Sequence, residues 1–339
     1  MKWLTPALLL FLCVCTPGIH AQHLEMLTSR SGLSIRGLSV VDNNIIWVSG
    51  TNGTVGRSID RGKTWKWMQV KNFEQSDFRD IEAFDAATAV IMSVSDPAYI
   101  LKTHDGGENW KVVFEDTRKG MFLDAMCFWN ELSGIVIGDP LDGRFFIART
   151  FDGGDSWQSM PEQNRPEAEE GEALFAASGT NIRPLSLQEV CFVTGGTVSR
   201  LFMRDIKMDL PVIRGKNSTG ANSIAVYHHR KRKAARQMVV VGGDFSDDKN
   251  AFQNCALSAD GGVTWQTPKM LPQGYRSCVE YISKKRLLTC GTSGVDISSD
   301  GGIHWRLISE ESFHVCRKAK KGQLVILAGK DGRIARLIW

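Results

Sequence analysis

The sequence lacks the short motifs that hold redox cofactors. It contains no Gly-x-Gly-x-x-Gly after a strand-like run, no Cys-x-x-Cys pair and no haem-attachment motif. Nothing in it therefore indicates an oxidoreductase. Metal-binding patterns are equally scarce, because the adjacent His228 and His229 stand in a basic run that favours a solvated surface over a ligand pair. We expect neither a cofactor nor a metal ion.

Long apolar runs are also missing. The run Leu8–Leu12 is too short to cross a bilayer, and no later stretch is long and apolar enough. With Lys2 before this run and Ala21 after it, the segment 1–21 has the pattern of a secretory signal peptide cleaved after Ala21. A lipid anchor at Cys15 is the alternative, although the residue before it is not small. The sequence predicts an exported chain, periplasmic or secreted, without a transmembrane segment.

A strong charge of either sign is absent, since the formal net charge is +4 at pH 7. The one basic cluster, His228–Lys233, lies between the strand-like runs Ser223–Tyr227 and Gln237–Val241 and is typical of a solvated hairpin tip. We expect no nucleic-acid binding, which requires a basic stripe or patch.

Cysteine is sparse, and two of the eight cysteines lie in the segment 1–21. Most of the others lie in apolar strand-like runs without a closely spaced framework, which favours buried free thiols. A Cys278–Cys290 bridge across one hairpin is the alternative. The remaining cysteines are Cys127, Cys191, Cys255, Cys278, Cys290 and Cys316.

What the sequence does contain is a turn motif that occurs five times. Each copy reads Ser/Thr-x-Asp-x-Gly-x-x-Trp, which is the Asp-box, or bacterial neuraminidase repeat. The Asp and hydroxyl side chains can hydrogen-bond the backbone of a turn, Gly accepts a positive φ, and Trp covers the apolar face of the hairpin. The motif is therefore structural rather than catalytic. Its aspartates and tryptophans are Asp60, Asp105, Asp152, Asp260, Asp300, Trp65, Trp110, Trp157, Trp265 and Trp305.

The spacing of the motif predicts an all-β fold, a seven-bladed β-propeller. One repeat interval has room for four short strands, which is one blade. The interval from Asp152 to Asp260 is more than twice as long as each of the others, so we expect a blade with a decayed motif at Gly196–Asp209. A strand near His23–Leu27 has no blade of its own, and the last blade lacks an outer strand. Pairing the two closes the ring as a single domain, 22–339.

Alignment of the predicted innermost strands places polar residues in one column, including four arginines. Inner strands of a propeller begin at one mouth of the central channel, so the column is expected to surround that mouth. It consists of Arg36, Arg79, Leu123, Arg183, Asn222, Arg276 and His314. A second column, at the end of the next strands, should return to the same face. It consists of Thr51, Asp96, Asp139, Gly196, Asp244, Thr292 and Lys330.

Two interpretations of the arginine column remain open. In the first, the arginines form ion pairs between blades with Asp96, Asp139 or Asp244. In the second, they form a mouth that binds carboxylate, sulfate or phosphate groups. The insertion Met160–Thr180, which carries Glu172, should cross this face and either cover the mouth or plug it from within.

The chain resembles the photosystem II stability/assembly factor family, and more closely that family's non-photosynthetic bacterial relatives. The resemblance covers essentially all of 22–339 and implies a seven-bladed propeller whose arginine-rich face docks a protein partner. Leu123, Asn222 and His314 interrupt the arginine column here, and the photosynthetic role does not transfer from a fold alone. Besides the Asp-boxes and the arginines, the resemblance rests on Ile137–Pro140, Phe175–Thr180, Val241–Asp244 and Gly291–Gly294.

Hydrolases are the competing class, because sialidases share the Asp-box and use an arginine triad that Arg36, Arg183 and Arg276 would imitate. Against a sialidase, no Arg-Ile-Pro precedes the first Asp-box, and strand packing explains each of the four tyrosines. Another glycosidase would need two carboxylates whose pKa values the arginines separate. The candidates are Asp96, Asp139, Glu172 and Asp244.

The sequence thus predicts an exported, non-catalytic propeller that binds a protein partner or an anionic glycan or other ligand through the channel mouth. The alternative is a glycan-acting hydrolase that uses the same face. We expect a monomer, although the sequence does not fix the oligomeric state. The expected binding residues are Arg36, Arg79, Arg183, Arg276, Asn222, His314, Asp96, Asp139, Asp244 and Glu172.

Overall fold

The computed structural model describes residues 22–186, 189–204, 206–227 and 237–339. The predicted signal peptide and the basic cluster at 228–233 lie outside the described residues. Within the described ranges, no helix is long and apolar enough to cross a membrane.

The described chain forms seven antiparallel sheets arranged as a β-propeller. The strands are β1 (His23–Thr28), β2 (Ile35–Val40), β3 (Ile46–Gly50), β4 (Thr54–Ser58), β5 (Lys66–Gln69), β6 (Phe78–Ala83), β7 (Ala89–Ser93), β8 (Ala98–Thr103), β9 (Lys111–Asp116), β10 (Leu123–Phe128), β11 (Gly134–Leu141), β12 (Arg144–Thr150), β13 (Gln158–Ser159), β14 (Glu172–Ala173), β15 (Ile182–Pro184), β16 (Val190–Val193), β17 (Gly195–Gly196), β18 (Arg200–Met203), β19 (Ile206–Asp209), β20 (Thr219–Tyr227), β21 (Gln237–Asp244), β22 (Cys255–Ser258), β23 (Cys278–Tyr281), β24 (Leu287–Gly291), β25 (Gly294–Ser298), β26 (Arg306–Ser309), β27 (Val315–Lys318), β28 (Val325–Ala328) and β29 (Ile334–Ile338). Two short 3-10 helices lie at Glu162–Asn164 and Lys330–Gly332.

Four sheets consist of consecutive strands, the fourth and fifth blades exchange strands because β14 and β17 join the fifth, and the last sheet combines strands from both ends of the described chain. The orders are β2-β3-β4-β5, β6-β7-β8-β9, β10-β11-β12-β13, β15-β16-β18-β19, β14-β17-β20-β21-β22, β23-β24-β25-β26 and β27-β28-β29-β1. The blade expected at Gly196–Asp209 is present, because β18 pairs with β19 across a turn at Arg204. The prediction of a seven-bladed propeller is confirmed.

The core lies between adjacent sheets, because both faces of a blade are covered by its neighbours. The inner strand β2 is almost fully buried, whereas the outer strand β5 is half exposed. Between the first two blades, Trp47, Phe78 and Ile91 pack together with no solvent exposure. Each such side chain contributes about 1.5–3 kcal/mol of burial free energy.

The ring is closed by strands from opposite ends of the chain. β1 pairs antiparallel with β29, from His23 opposite Ile338 to Thr28 opposite Ile334. Glu25 and Arg336 add a cross-strand ion pair of 2.5 Å between Oε2 and Nη2. The pairing covers the edge of β29, which would otherwise present free N–H and C=O groups.

The five repeated turns share one hydrogen-bond pattern, shown here by the first copy. The Ser58 hydroxyl donates to Asp60 Oδ1 at 2.8 Å and accepts the N–H of Gly62 at 2.9 Å, while Asp60 Oδ1 accepts the N–H of Thr64 at 2.9 Å. The indole N–H of Trp65 donates to the Gly62 carbonyl at 3.0 Å, a bond that the third and fifth turns, with Trp157 and Trp305, do not make. Hydrogen bonds from Thr64 lower the pKa of Asp60 to about 2. Gly62 has a φ of +83°, which glycine adopts without strain.

The repeated turns and the arginine-bearing strand starts lie at opposite faces of the ring. Ser58, which opens the first turn, is paired with Ile46, and Ile46 is paired with Val40 at the end of β2. Ile35, at the start of β2, is paired with Gly50 at the end of β3. We call the face at which the inner strands begin the mouth face.

Candidate functional site at the channel mouth

A β-bulge near the start of several inner strands sets the residues that face the mouth. The strand register shifts between Ile35 and Gly37, between Phe78 and Asp80, between Leu123 and Ala125, and between Ala221 and Ser223. A bulge leaves one residue out of the ladder and redirects its side chain. The residues left out are Arg36, Arg79, Asp124 and Asn222.

Two positions of the predicted column are one residue out of register. The backbone N–H of Leu123 donates to Val94, and that of Arg276 donates to Gly242 of the neighbouring blade in the same way. Arg276 therefore takes the inward-packed position of Leu123, not the bulge position. Because alternate residues point to opposite sides of a strand, a shift of one residue moves a side chain from the channel into the core. Asp124 and Ser277 take the strand position that Arg36 and Arg79 have in their blades, although Asp124 is fully buried.

Arg276 is thus a buried structural residue, and its predicted place at the mouth was wrong. Its side chain has no exposure and forms an ion pair with Asp296, with 2.5 Å between Nη2 and Oδ2. Nη1 donates to the Tyr275 carbonyl and to Ser293 Oγ, each at 2.8 Å. The ion pair lies within the sixth blade, not between an arginine and one of the predicted aspartates.

Arg183 also lies away from the mouth. Its Nε donates to the Ile224 carbonyl at 3.0 Å, and its Nη2 donates to Glu280 Oε2 at 2.9 Å. The sequence alignment failed here because the fourth blade enters its inner strand after a long insertion, so β15 starts beyond the mouth. Two of the four predicted arginines, Arg36 and Arg79, remain at the mouth.

The end of the insertion fills the channel below the mouth. Thr180 Oγ1 donates to Ser223 Oγ at 2.6 Å, and Ser178 Oγ donates to the Ser277 carbonyl at 2.7 Å. From another side, Arg317 Nη2 donates to the carbonyls of Ser178 and Gly179 at 3.1 and 3.2 Å. These contacts reach the fifth, sixth and seventh blades. We call Phe175–Thr180 the plug, because it turns the mouth into a cup that is closed from below.

The cup has a volume of about 470 Å³, within the range of sites for small ligands or peptide segments. Aromatic rings form part of its wall: Phe245, which is 47% exposed, lies edge-on to Phe175 at 5.7 Å and to Tyr275 at 6.3 Å between ring centroids. The Arg79 guanidinium lies 5.8 Å from the centroid of Phe122. The polar lining residues are Arg36, Arg79, Asp139, Asn222, Ser277, Thr292 and His314.

Positive charge in the cup is only partly balanced. Arg79 pairs with Asp77 at 2.7 Å, but Arg36 has no carboxylate within 4.0 Å among the residues that the structure describes. Burial, and then the charge of Arg79, lower the pKa of Arg36. Burial and the charges of Arg36, Arg79 and Lys330 lower the pKa of His314 to about 3, so its ring is neutral at pH 7. The three cations that oppose protonation of His314 would also attract an anion to this part of the cup.

One predicted carboxylate does line the cup. Asp139 Oδ1 accepts the N–H of Leu174 at 2.8 Å, and burial raises its pKa to about 6. Asp124, which the sequence analysis missed, is fully buried nearby. Burial and then the charge of Asp139 raise its pKa well above the usual range. Burial thus disfavours the charged form of Asp124, and Asp139 is the carboxyl group that lines this side of the cup.

The other predicted carboxylates do not line the cup. Glu172 is buried and pairs with Arg200, so its predicted role at the mouth was wrong. The reason is local: β14, which carries Glu172, pairs with β17 and points this side chain into the blade. Asp244 accepts the hydroxyl of Ser246 at 2.6 Å, and Asp96 is an exposed loop residue near Gly120 N. Asn222, in contrast, does lie at the cup and accepts the Tyr275 hydroxyl at 2.7 Å.

Comparisons with known proteins place the chain among β-propellers. No protein-family model matches it, and no curated protein matches it either. Among solved structures it is similar to YCF48 bound to D1 peptide, with 16% identity, a TM-score of 0.65, and 96% of this chain and 100% of that chain covered. It is similar to YCF48 from Cyanidioschyzon merolae, with 15% identity, a TM-score of 0.59, and 93% and 98% covered. The WD40 propeller of Doa1 matches at 12% identity and a TM-score of 0.62, with 94% and 98% covered. At these identities the likeness shows the fold.

Proposed function

We propose that this propeller is a non-catalytic binding protein that holds an anionic segment of a protein partner in the cup. The observation that carries the proposal is the Arg36 guanidinium, which faces the cup beside Arg79 without a carboxylate of its own among the described residues. A guanidinium held in place by a rigid ring offers a paired set of donors that matches a carboxylate. The similarity to a propeller solved with a bound peptide supports the same class of ligand.

The wall of the cup supports a peptide over a simple inorganic anion. Phe122, Phe175 and Phe245 offer apolar surface next to the arginines, and the plug closes the far side. A ligand therefore has to enter and leave by the mouth face. A chain end or a loop that carries one acidic group beside an apolar side chain fits both kinds of wall.

The hydrolase alternative gains no support from the carboxylates. A glycosidase needs two carboxyl groups that face the same bond. Of its four candidates, Asp139 lines the cup, whereas the other three do not: Glu172 is buried against Arg200, Asp244 is bound within its own turn, and Asp96 is exposed on a loop. We therefore favour binding over catalysis. Export of the chain, which rests on the pattern at 1–21, stays part of the proposal.

A thermal-shift screen of the protein 22–339 distinguishes the ligand classes. The panel contains acidic peptides, their amidated or Gln-substituted counterparts, and sialylated and sulfated oligosaccharides. We expect acidic peptides to raise Tm, since a ligand at 100 times its Kd adds about 2.7 kcal/mol to stability. A shift with oligosaccharides but not with peptides would move the assignment to a carbohydrate site, and hydrolase assays would then follow.

A further inference from the structure

Three cysteine sulfurs converge between the sixth and seventh blades, next to the plug but outside the cup lining. Cys278 on β23 and Cys290 on β24 are directly opposite each other in the sixth blade, and Cys316 on β27 comes from the seventh. The three side chains are fully buried, and their Sγ atoms all lie within 4.8 Å of one another. The Cys278 and Cys316 sulfurs are 3.6 Å apart. No disulfide joins any of them in the described structure.

The sulfur triangle has the dimensions of a three-coordinate metal site. A metal ion in the plane of three thiolates, with metal–sulfur bonds of about 2.3 Å, separates the sulfurs by about 4 Å. The 3.6 Å between Cys278 and Cys316 and the 4.8 Å limit that contains all three sulfurs both lie within 1 Å of that value, so the side chains need to move little. Two neighbouring blades supply the ligands, and the surrounding β-sheets hold their backbones in place. Such preorganisation is a requirement for a specific site.

The surroundings of one of the three sulfurs, Cys278 Sγ, favour a thiolate. Arg317 Nη1 lies 3.9 Å from Cys278 Sγ, and the backbone N–H of Cys316 points at the same sulfur from 3.3 Å. The guanidinium is itself fixed by two carbonyls of the plug. A cation and a backbone donor next to one sulfur favour its ionised form, which is the form that binds metal.

We propose that Cys278, Cys290 and Cys316 form a buried thiolate site for a soft monovalent ion, with copper(I) as the ion that fits best. Thiolate ligands select soft ions, above all copper(I), zinc and iron–sulfur clusters. A structural zinc site takes four ligands, and the ligand cluster in the described part of the chain has three members. Binding forms three copper–sulfur bonds and releases the thiol protons to solvent, without a change in oxidation state.

The test is an anaerobic titration of the fully reduced protein with copper(I) held by a coloured competing chelator. Copper is added both to the folded protein and during refolding, because the site is buried. We expect wild type to remove one copper ion per chain from the chelator, to gain a sulfur-to-copper charge-transfer band in the ultraviolet, and to unfold at a higher temperature. X-ray absorption should show three sulfur neighbours around the metal.

Matched variants separate a built site from ordinary thiol binding. Cys316→Ala and Cys290→Ala, each made separately, should weaken copper binding at least tenfold, while Cys255→Ala, a fully buried cysteine outside the cluster, should bind like wild type. Circular dichroism establishes that each variant is folded. If one of the two ligand variants does not fold, the other still tests the site. The proposal is overturned if wild type binds no copper in either arm. It is equally overturned if both ligand variants bind as well as the Cys255→Ala control.

Discussion

At the scale of single residues, two arginines with similar sequence contexts have opposite roles. Arg79 stands at a bulge, is 29% exposed and faces the cup, whereas Arg276 stands one position earlier in its strand and is enclosed with Asp296. Burying a charge is tolerated only with a partner, and removing one partner leaves the other uncompensated. The two arginines should therefore fail in different ways when they are replaced.

Arg276→Ala should destabilise the fold without acting on ligand binding directly. We expect a loss of about 3–5 kcal/mol in the free energy of unfolding, because Asp296 would be left buried and unpaired. Urea unfolding measures the loss, and Arg276→Ala with Asp296→Ala should recover part of it. A stable, folded Arg276→Ala protein that no longer binds acidic peptides would contradict this assignment.

Asp139 should make ligand binding depend on pH. Its pKa of about 6 in the folded protein, raised by burial, means that the carboxyl becomes negative as the pH rises through 6. Two unit charges about 4 Å apart in water repel by ~1 kcal/mol, so an acidic peptide should bind about fivefold more weakly at pH 7.5 than at pH 5. Peptide carboxylates stay largely ionised over this range.

Asp139→Asn should remove that pH dependence and bind at pH 7.5 as wild type does at pH 5. Asp96→Asn, on the same face but outside the cup lining, is the matched control and should behave like wild type. Anisotropy titrations with a labelled acidic peptide measure both. An unchanged pH profile in Asp139→Asn would show that another group titrates at the mouth.

At the scale of elements, the repeated motif made the blades predictable from the sequence. The residues that face the mouth were predictable only in part. Five Ser/Thr-x-Asp-x-Gly-x-x-Trp turns, each at the same place in its blade, set the strand count and the blade boundaries. No sequence motif marks the bulges at Arg36 and Arg79. The apolar residue before the bulge, Phe78 in one blade and Leu123 in another, would have shown that Asp124 is the equivalent of Arg79. Aligning on residue type therefore chose Leu123 over Asp124 and Arg276 over Ser277.

The plug shows a second limit of local sequence patterns. The sequence analysis expected the insertion to cover or plug the mouth, and it named Glu172 as the residue of interest. In the structure the uncharged segment Phe175–Thr180 enters the channel, whereas Glu167 pairs with Arg144 and Glu172 with Arg200. Those partners lie far away in sequence, so tertiary packing decides the arrangement and periodicity cannot reveal it.

Gly179→Ala should disturb the plug. Gly179 has a φ of +61°, and an added Cβ would stand 2.3 Å from Cγ of the buried Asp80. We expect a loss of about 1–3 kcal/mol in stability from overpacking, in addition to the backbone strain. Gly143→Ala, with a φ of +78° and no atom within 4 Å of the added Cβ, is the control for backbone strain alone. Equal losses in urea unfolding would show that Gly179 is not packed against the channel wall as described.

At the scale of the whole molecule, the propeller joins its two ends to avoid an exposed sheet edge. The last sheet has β27, β28 and β29 from one end of the chain and β1 from the other. Closure also holds the cup together, because the mouth collects residues from the first blade, such as Arg36, and from the last, such as His314. A rigid ring keeps these side chains in place before a ligand arrives, which lowers the entropic cost of binding.

Removal of β1, by starting the chain at residue 29, should therefore lower the stability by more than the loss of one strand's contacts would. We expect a Tm lowered by several degrees, together with self-association through the uncovered edge of β29. Calorimetry and size-exclusion chromatography measure the two effects. Arg336→Ala, which removes the partly exposed pair with Glu25 but keeps the strand, should cost at most ~1 kcal/mol and leave the elution volume unchanged. A monomeric truncated protein of wild-type stability would argue against closure by this pairing.

The central claim is that the cup binds an anionic peptide through Arg36 and Arg79, and isothermal titration calorimetry tests it most directly. The titrants are two peptides that differ only in having Glu or Gln at one position. The proteins are wild type, the cup variant Arg36→Gln/Arg79→Gln and a control variant, Arg214→Gln/Arg306→Gln. The control loses the same charge, but its two arginines are exposed and lie outside the cup. We expect wild type and the control to bind the Glu peptide at least tenfold more tightly than the cup variant does, and all three to bind the Gln peptide weakly. Equal affinity of the folded cup variant and wild type for the Glu peptide would contradict the claim.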